Sequence, residues 1–265
     1  MSVRQLVRGT VPWETVEAVG QEIASRYGRP RVRIEFLEAE NWLSTPLVVD
    51  RTWFVKVITA RNAFVHAVFT GARNLGAVSS GTEGFFEHFG TPLEMAEHEL
   101  EAAQRMQSVG VNVPEPVEAF EVEDYGVLVF EYVPAFRTFE AVEVATARQL
   151  APDLFVALDR MHQAGLAHGD LRSENVLVVE DELYFIDATS VRGDIADARA
   201  YDIACALGVL SPLLGPAETV GLAVEIFGAE TLLTARDFLD FVTIRPDHDF
   251  DAAAVKGEIE KVATG

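Results

Sequence analysis

The sequence predicts an α+β fold of two lobes, a small antiparallel-sheet lobe followed by a mainly helical one. Three observations predict it. Residues 31–133 carry short alternating apolar stretches parted by turn residues, the period-two pattern of half-buried strands, whereas beyond residue 146 apolar residues recur at spacings of three and four. A length of 265 residues with 49% hydrophobic content suits one domain of two lobes, or at most two domains. A polar loop, 168–175, feeds an apolar hairpin that ends at Asp187. The expected divisions are an N-terminal helical extension over 1–30, the sheet lobe over 31–133 with an insertion at 59–91, and the helical lobe over 134–265 with extra C-terminal helices.

Residues 11–27 read as a helix: Pro12 lies in the first turn, Glu14 and Glu17 favour its positive end, and Val16, Val19 and Ile23 share a face. The segment is too short and too acidic for a DNA-reading winged helix. Val32, Ile34 and Phe36 alternate in a strand over 31–37. A glycine-free polar loop follows, Glu38 to Thr45, and then strands over 46–50 and 52–58 joined by a tight turn at Asp50-Arg51. Within the insertion, 61–69 reads as a helix; five glycines and three phenylalanines come after it and suit a loop pinned by aromatics. Gly71 and Gly76 have Walker-type spacing, but Ala77-Val78 stands where Lys-Ser/Thr is needed. Thr91-Pro92-Leu93-Glu94 is a helix start, with an N-cap Thr, Pro at the first position and Glu closing a capping box; this helix runs to about Ser108 and stops at Gly110. Strands over 117–123 and 126–132 form a hairpin through Asp124-Tyr125.

In the second half a helix spans 146–165, with Thr146 and Gln149 as its capping box and Leu150, Leu154, Leu158 and Met161 as its stripe. After the 176–187 hairpin a short segment, Val191 to Asp194, leads into a helix carrying Asp202. Three further helices are expected near 216–227, 230–242 and 250–263.

Composition excludes some functions. A net charge of −21 argues against a bulk electrostatic grip on nucleic acid or an anionic membrane. Only three of the 21 basic residues are lysine, and 42 carboxylates outnumber all 21 two to one. This suits a surface adapted to molar salt, where a Debye length of about 3 Å screens self-repulsion. The lone Cys205 fits a reducing cytoplasm, no signal peptide is expected in Met1 to Gly9, and the longest uncharged run, Ile203 to Ala217, is too short to span a bilayer.

The chemistry lies between His168 and Asp187. Asp170 and Asn175 sit five apart on a loop, and a hairpin folding back on itself returns Asp187 beside Asn175. Two carboxylates and one amide oxygen are hard ligands that suit Mg²⁺, which takes phosphate oxygens and waters for its remaining positions. Lys56, the one lysine in the first 255 residues, lies among apolar residues in a strand. Glu99 falls on the apolar face of the 91–108 helix, where a carboxylate needs a cation, and Lys56 is the obvious one.

His168-x-Asp170-x-x-x-x-Asn175 followed by Asp187 resembles the catalytic loop and metal-binding Asp of the protein-kinase superfamily. Glu174-Asn175, Ile186-Asp187-x-x-Ser-Val, and the spacing from Glu99 to Gly110-Val111-x-Val113-Pro114 resemble the RIO-type atypical kinases most closely, with the small archaeal kinases of the tRNA-modification complex a near second. The resemblance covers roughly residues 31–210. It implies a two-lobed protein-kinase-like fold and ATP and Mg²⁺ as cofactors. Lys56, paired with Glu99, would grip the α- and β-phosphates, and Ser44 and Thr45 would stand in for the glycines of the phosphate loop. The backbone of Glu131 and Val133 would hold the adenine edge, with Phe130 behind it. Asp170 would accept the proton of the attacking group, Asn175 and Asp187 would hold the metal, and Arg172 would neutralise γ-phosphate charge or pair with an acidic neighbour. His168 would be structural, and Asp202 would hold the loop backbone. The implied function is a RIO-like Ser/Thr protein kinase or ATPase, cytoplasmic, acting on or docked to a protein or ribonucleoprotein assembly. A small-molecule kinase resembling aminoglycoside and choline kinases, and a nucleotide-binding regulator with little turnover, are the alternatives.

Overall fold

A computed structural model describes residues 11–37, 44–60, 90–188, 195–244 and 248–264. The expected helix over 61–69, most of the 59–91 insertion, loop residues 38–43 and the segment 189–194 lie outside them. The described residues form two compact units, one gathering residues up to 60, 90–104 and 114–134, the other 105–113 and 135 onward.

The first unit is a five-stranded antiparallel sheet in the order β1-β2-β3-β5-β4, built from β1 (Ile34–Phe36), β2 (Thr45–Val49), β3 (Trp53–Ile58), β4 (Pro116–Val122) and β5 (Tyr125–Glu131). The first strand is shorter than the alternation over 31–37 suggests. Alternation sorts the side chains by face. Leu47, Val49, Trp53, Val55, Val57, Phe120, Val127 and Val129 form one core with Val16, Val19 and Ile23 of helix α1 (Trp13–Arg26). Burying such residues contributes roughly 1.5–3 kcal/mol each before entropy is charged. The opposite face carries Val48, Lys56, Ile58, Leu128 and Phe130, all buried.

The β2–β3 turn is where the sequence places it: Asp50 and Arg51 both take left-handed backbone (φ 52° and 53°), the primed turn whose twist matches the strands. The β4–β5 turn sits one residue earlier than expected, at Glu123-Asp124, because Val122 pairs with Tyr125 and extends the ladder to that point. Helix α2 (Pro92–Ser108) begins with the expected capping box. The Glu94 N–H donates to Thr91 Oγ1 (3.1 Å), and Glu94 Oε2 accepts from the N–H groups of Thr91 (3.2 Å) and Gly90 (2.8 Å). It ends at Gly110, in left-handed backbone (φ 77°).

The second unit holds a small antiparallel sheet, β6 (Arg137–Thr138), β7 (Val176–Val179) and β8 (Glu182–Phe185), and six helices: α3 (Val144–Gln163), α4 (Ile195–Leu214), α5 (Pro216–Phe227), α6 (Ala229–Arg236), α7 (Leu239–Thr243) and α8 (Ala252–Thr264). Together the units give the predicted α+β class. Helix α4 is buried along nearly its whole length and packs against α3, α5, α6 and α7.

Two expectations about the helices also fail. Helix α3 starts two residues before Thr146: the chain leaves a 3₁₀ turn extended through Val142 and Glu143, the Ala147 N–H reaches the Glu143 carbonyl (2.9 Å), and no side chain caps the helix. Thr146 and Gln149 are therefore interior residues and form no capping box. The single helix expected over 230–242 is two short ones. Phe238 is buried against Tyr201 (ring centroids 6.3 Å apart), and the chain breaks at Asp237-Phe238 to place it there.

One glycine fixes how α2 meets the sheet. A Cβ on Gly126 would lie 2.2 Å from the Pro92 carbonyl oxygen, a backbone atom at the start of α2. Gly126→Ala is therefore expected to destabilise the protein by about 1–3 kcal/mol through overpacking, read as a lower denaturant midpoint at unchanged slope; an unchanged midpoint would show that α2 can move off the sheet at no cost.

Candidate functional site

In the first unit, Lys56 lies between Pro46 of β2 and Leu128 of β5, 3% exposed. Its ammonium pairs with Glu99, which α2 presents to that face, and lies 5.9 Å from the centre of the Phe130 ring. Ser44 and Thr45 are both buried. Thr45 opposes Val57 and so belongs to the face that packs on α1; by alternation Ser44 falls on the Lys56 face. Of the two hydroxyl residues expected at the phosphates, only Ser44 is on that side.

The end of β5 and the residue after it are tied down by two backbone bonds, Glu131 N–H to the Glu115 carbonyl (2.9 Å) and Tyr132 N–H to the Thr52 carbonyl (2.8 Å). The Val133 N–H makes no hydrogen bond among the described residues. Beside this segment opens a pocket of about 250 Å³, walled by Glu35 and Phe36 of β1, Leu37 just after it, Val48 of β2, Arg51 of the β2–β3 turn, and Tyr132 and Pro134. Glu35 pairs with Val48 and Val48 with Phe54, two before Lys56, so the pocket opens on the sheet face that carries Lys56. Sequence reasoning missed Glu35 and Arg51: their signal is tertiary, a turn folded beside an edge strand.

In the second unit the loop 168–175 is organised by Asp202, fully buried on α4. Its carboxylate accepts the His168 N–H (2.6 Å) on Oδ2 and the Gly169 N–H (2.8 Å) on Oδ1, while the His162 ring lies 3.2 Å from Oδ2. Gly169 has left-handed backbone (φ 76°), which a side chain would resist. The His168 Nδ1 accepts the Asp170 N–H (3.3 Å), a role open only to the neutral ring. Burial pushes the His168 imidazole below its ordinary range, outweighing the carboxylates of Asp202, Asp170 and Asp187.

Asn175, 2% exposed, donates its amide to the Asp170 carbonyl (2.9 Å) and sits 3.4 Å from Asp170 Oδ2. Its Nδ2 is thus turned into the loop, and its Oδ1, an acceptor, has no partner among the described residues. The hairpin returns as the sequence suggests: Val176 pairs with Phe185, and the Ile186 N–H donates to the Asn175 carbonyl (3.0 Å), bringing Asp187 alongside. Asp187 has left-handed backbone (φ 59°), an uncommon state in which Asp is enriched. A hard divalent cation fits this donor set, with Asp187 and the Asn175 carbonyl oxygen to hold it and Asp170 adjacent. Arg172 lies with Nε 3.6 Å from Asp170 Oδ2 and Nη1 3.2 Å from Glu174 Oε2. It is engaged by acidic neighbours on its own loop.

Asp202→Ala leaves two buried N–H donors without an acceptor, at about 1–3 kcal/mol each. Loss of stability together with rapid amide exchange at 168 and 169 is the expected result; slow exchange there would show that something else holds the loop. His168 adds a pH dependence. Its folded pKa lies below the unfolded value of about 6.5, so the unfolded chain binds more protons as pH falls. The contribution of His168 to stability is therefore complete above about pH 6.5 and is lost below it. Denaturant midpoints at about pH 7.5 and about pH 5.5 should fall less in His168→Gln than in the parent.

Comparison with known proteins places this geometry. Residues 91–199 match the family model of the RIO domain. The KEOPS complex subunit Bud32 of Pyrococcus abyssi (strain GE5 / Orsay) is 31% identical over 110 residues, 40% of this chain and 49% of that protein, so the matched stretch spans about half the length of the relative. Among solved structures, the Drosophila melanogaster PAN3 pseudokinase aligns with 85% of this chain and 63% of its own at 15% identity and a TM-score of 0.43. Rad53 1-466 in complex with AMP-PNP aligns with 86% of this chain and 64% of its own at 16% identity and a TM-score of 0.45. Both scores are too low to carry an argument. The stretch that matches the RIO domain, 91–199, holds Glu99 and everything from His168 to Asp187.

Proposed function

We propose that this chain is an ATP- and Mg²⁺-dependent phosphotransferase, a RIO-like Ser/Thr protein kinase or ATPase. The observation that carries the reading is the loop held by Asp202: one buried carboxylate fixes two consecutive amides, Asn175 bonds back to Asp170, and the Ile186 N–H on the Asn175 carbonyl brings the next residue, Asp187, to that loop. Phosphoryl transfer needs little covalent help from a protein; it needs positioned charge. Magnesium held by Asn175 and Asp187 would neutralise phosphate oxygens. Asp170 accepts the proton of the attacking hydroxyl or water. Lys56, fixed by Glu99, supplies a compact cation for phosphate. The pocket beside Tyr132 suits a nucleoside, with the Val133 N–H and the Glu131 carbonyl for its base and Phe130 behind. Arg172, already close to Asp170, supplies positive charge where the phosphate is transferred.

For the acceptor, the likeness to a subunit of a complex favours a protein or ribonucleoprotein assembly over a metabolite. We infer a cytoplasmic setting at high salt from the acidic, lysine-poor composition; among the described residues no helix is long and apolar enough to cross a membrane.

Labelled-ATP turnover in molar KCl, with cell extract split into protein and small-molecule fractions, tests the reading. Label transferred to the protein fraction, or released as phosphate, is expected; transfer to metabolites alone would overturn the acceptor class. Asp170→Ala should lower transfer by roughly 10²–10⁴-fold, the usual worth of a general base, and leave nucleotide binding intact. Asp187→Ala should lose the Mg²⁺-dependent part of binding. Normal turnover in Asp170→Ala would sink the assignment.

A further inference from the structure

The pocket on the first unit contains a feature that the proposed chemistry does not use. Glu35 stands on its wall, at the centre of β1, the edge strand of the sheet. Its Oε1 is buried without a hydrogen bond and is ion-paired with Arg33 Nε (3.2 Å), just before β1, and Arg51 Nε (3.5 Å), in the β2–β3 turn. The backbone locks that turn: the Arg33 N–H donates to Asp50 Oδ1 (2.7 Å), and the Asp50 N–H to the Arg33 carbonyl (2.9 Å). Glu35 is thus held by one oxygen. The other, Oε2, has no partner among the described residues, and the side chain is 35% exposed. A carboxylate on a pocket wall, with one oxygen ion-paired and the other without a partner among the described residues, is an acceptor for donors on a ligand.

The remaining walls restrict what that ligand is. Leu37, Val48 and Tyr132 are apolar or aromatic and suit a flat ring. The volume, about 250 Å³, falls below the roughly 300–1,000 Å³ of pockets for drug-sized molecules and suits a nucleoside. A nucleoside's sugar carries a vicinal diol, two adjacent donors that a carboxylate accepts, as the acidic residue of dinucleotide-binding folds does for a ribose. We propose that Glu35 is the ribose-recognising residue of this pocket, with Arg33 and Arg51 as its positioning residues, so that the site selects ribonucleotides over deoxyribonucleotides. The proposal rests on the ATP reading above and adds to it a selectivity that ATP binding alone does not require.

Calorimetric titration of the full chain with ATP, 2′-deoxy-ATP and 3′-deoxy-ATP, at fixed Mg²⁺ and salt, tests it. The parent should bind ATP roughly tenfold or more tightly than the deoxy forms, the worth of a hydrogen bond to a charged group. Glu35→Ala should bind all three alike, at the parent's affinity for the deoxy forms, with an unchanged circular dichroism spectrum. Arg51→Ala, which loosens the carboxylate without removing it, should retain part of the preference. Equal binding of all three by the parent, or a preference surviving in Glu35→Ala, overturns the proposal and leaves ATP as the ligand. Failure of the parent to bind any of them overturns the ATP reading itself.

Discussion

A single buried carboxylate, Asp202, is the constraint on which the functional half of the molecule depends. A loop that presents polar groups to a ligand cannot spend its amides on regular secondary structure, yet buried amides must be paired. Here α4, apolar along almost its whole length, accepts that burden through one side chain, both of whose oxygens are committed to consecutive N–H groups. An isolated ionised carboxylate in such a core would be costly. Two amides and the His162 ring compensate for it, and the cooperative packing of α3, α5, α6 and α7 around α4 holds it in register. Downstream of Asp202 the loop secures itself: His168 accepts from Asp170, and Asn175 donates back to the Asp170 carbonyl.

The first unit meets the opposite problem with the opposite charge. Lys56 is buried in a five-stranded sheet whose neighbours at that position are proline and leucine. Burial alone would favour the neutral amine. Glu99 offsets that, and removing either partner would leave the other as an uncompensated buried charge, which is far more costly than the pair itself is stabilising. The capping box at Thr91 and Glu94 and the side-chain-free approach at Gly126 set where α2 begins, and so where Glu99 falls.

What was legible in the sequence follows from the range of each signal. The hairpin after Asn175, the Asp50-Arg51 turn and the Thr91 cap are written within a few consecutive residues, where side-chain type and backbone preference agree. Lys56 and Glu99 were paired on chemistry, because a lysine inside an apolar strand and a glutamate on an apolar helix face each lack a local solution. Thr146 and Gln149 had the letters of a capping box, but the helix start there is set by how the chain leaves the preceding 3₁₀ turn. The split near Phe238 answers to Tyr201, 37 positions away and on another helix. Thr45 faced the wrong side for the role suggested because one residue of register moves a side chain to the other face of a sheet. Glu35 and Arg51 had no linear pattern at all; only the folded edge strand brings them to one wall.

The loop also accounts for the metal in the proposed reaction. Arg172 lies within ion-pair distance of two carboxylates on its own loop, Asp170 and Glu174. Two carboxylates to one guanidinium make this stretch acidic, which disfavours a polyphosphate. A divalent cation would offset that charge, and Asn175, whose amide nitrogen is turned inward, would offer it the side-chain oxygen. The same arrangement suits Arg172 beside Asp170, the residue proposed to accept a proton. With Glu174 sharing its charge, the guanidinium would steady the Asp170 carboxylate without saturating it, and would remain a donor for phosphate in the proposed reaction.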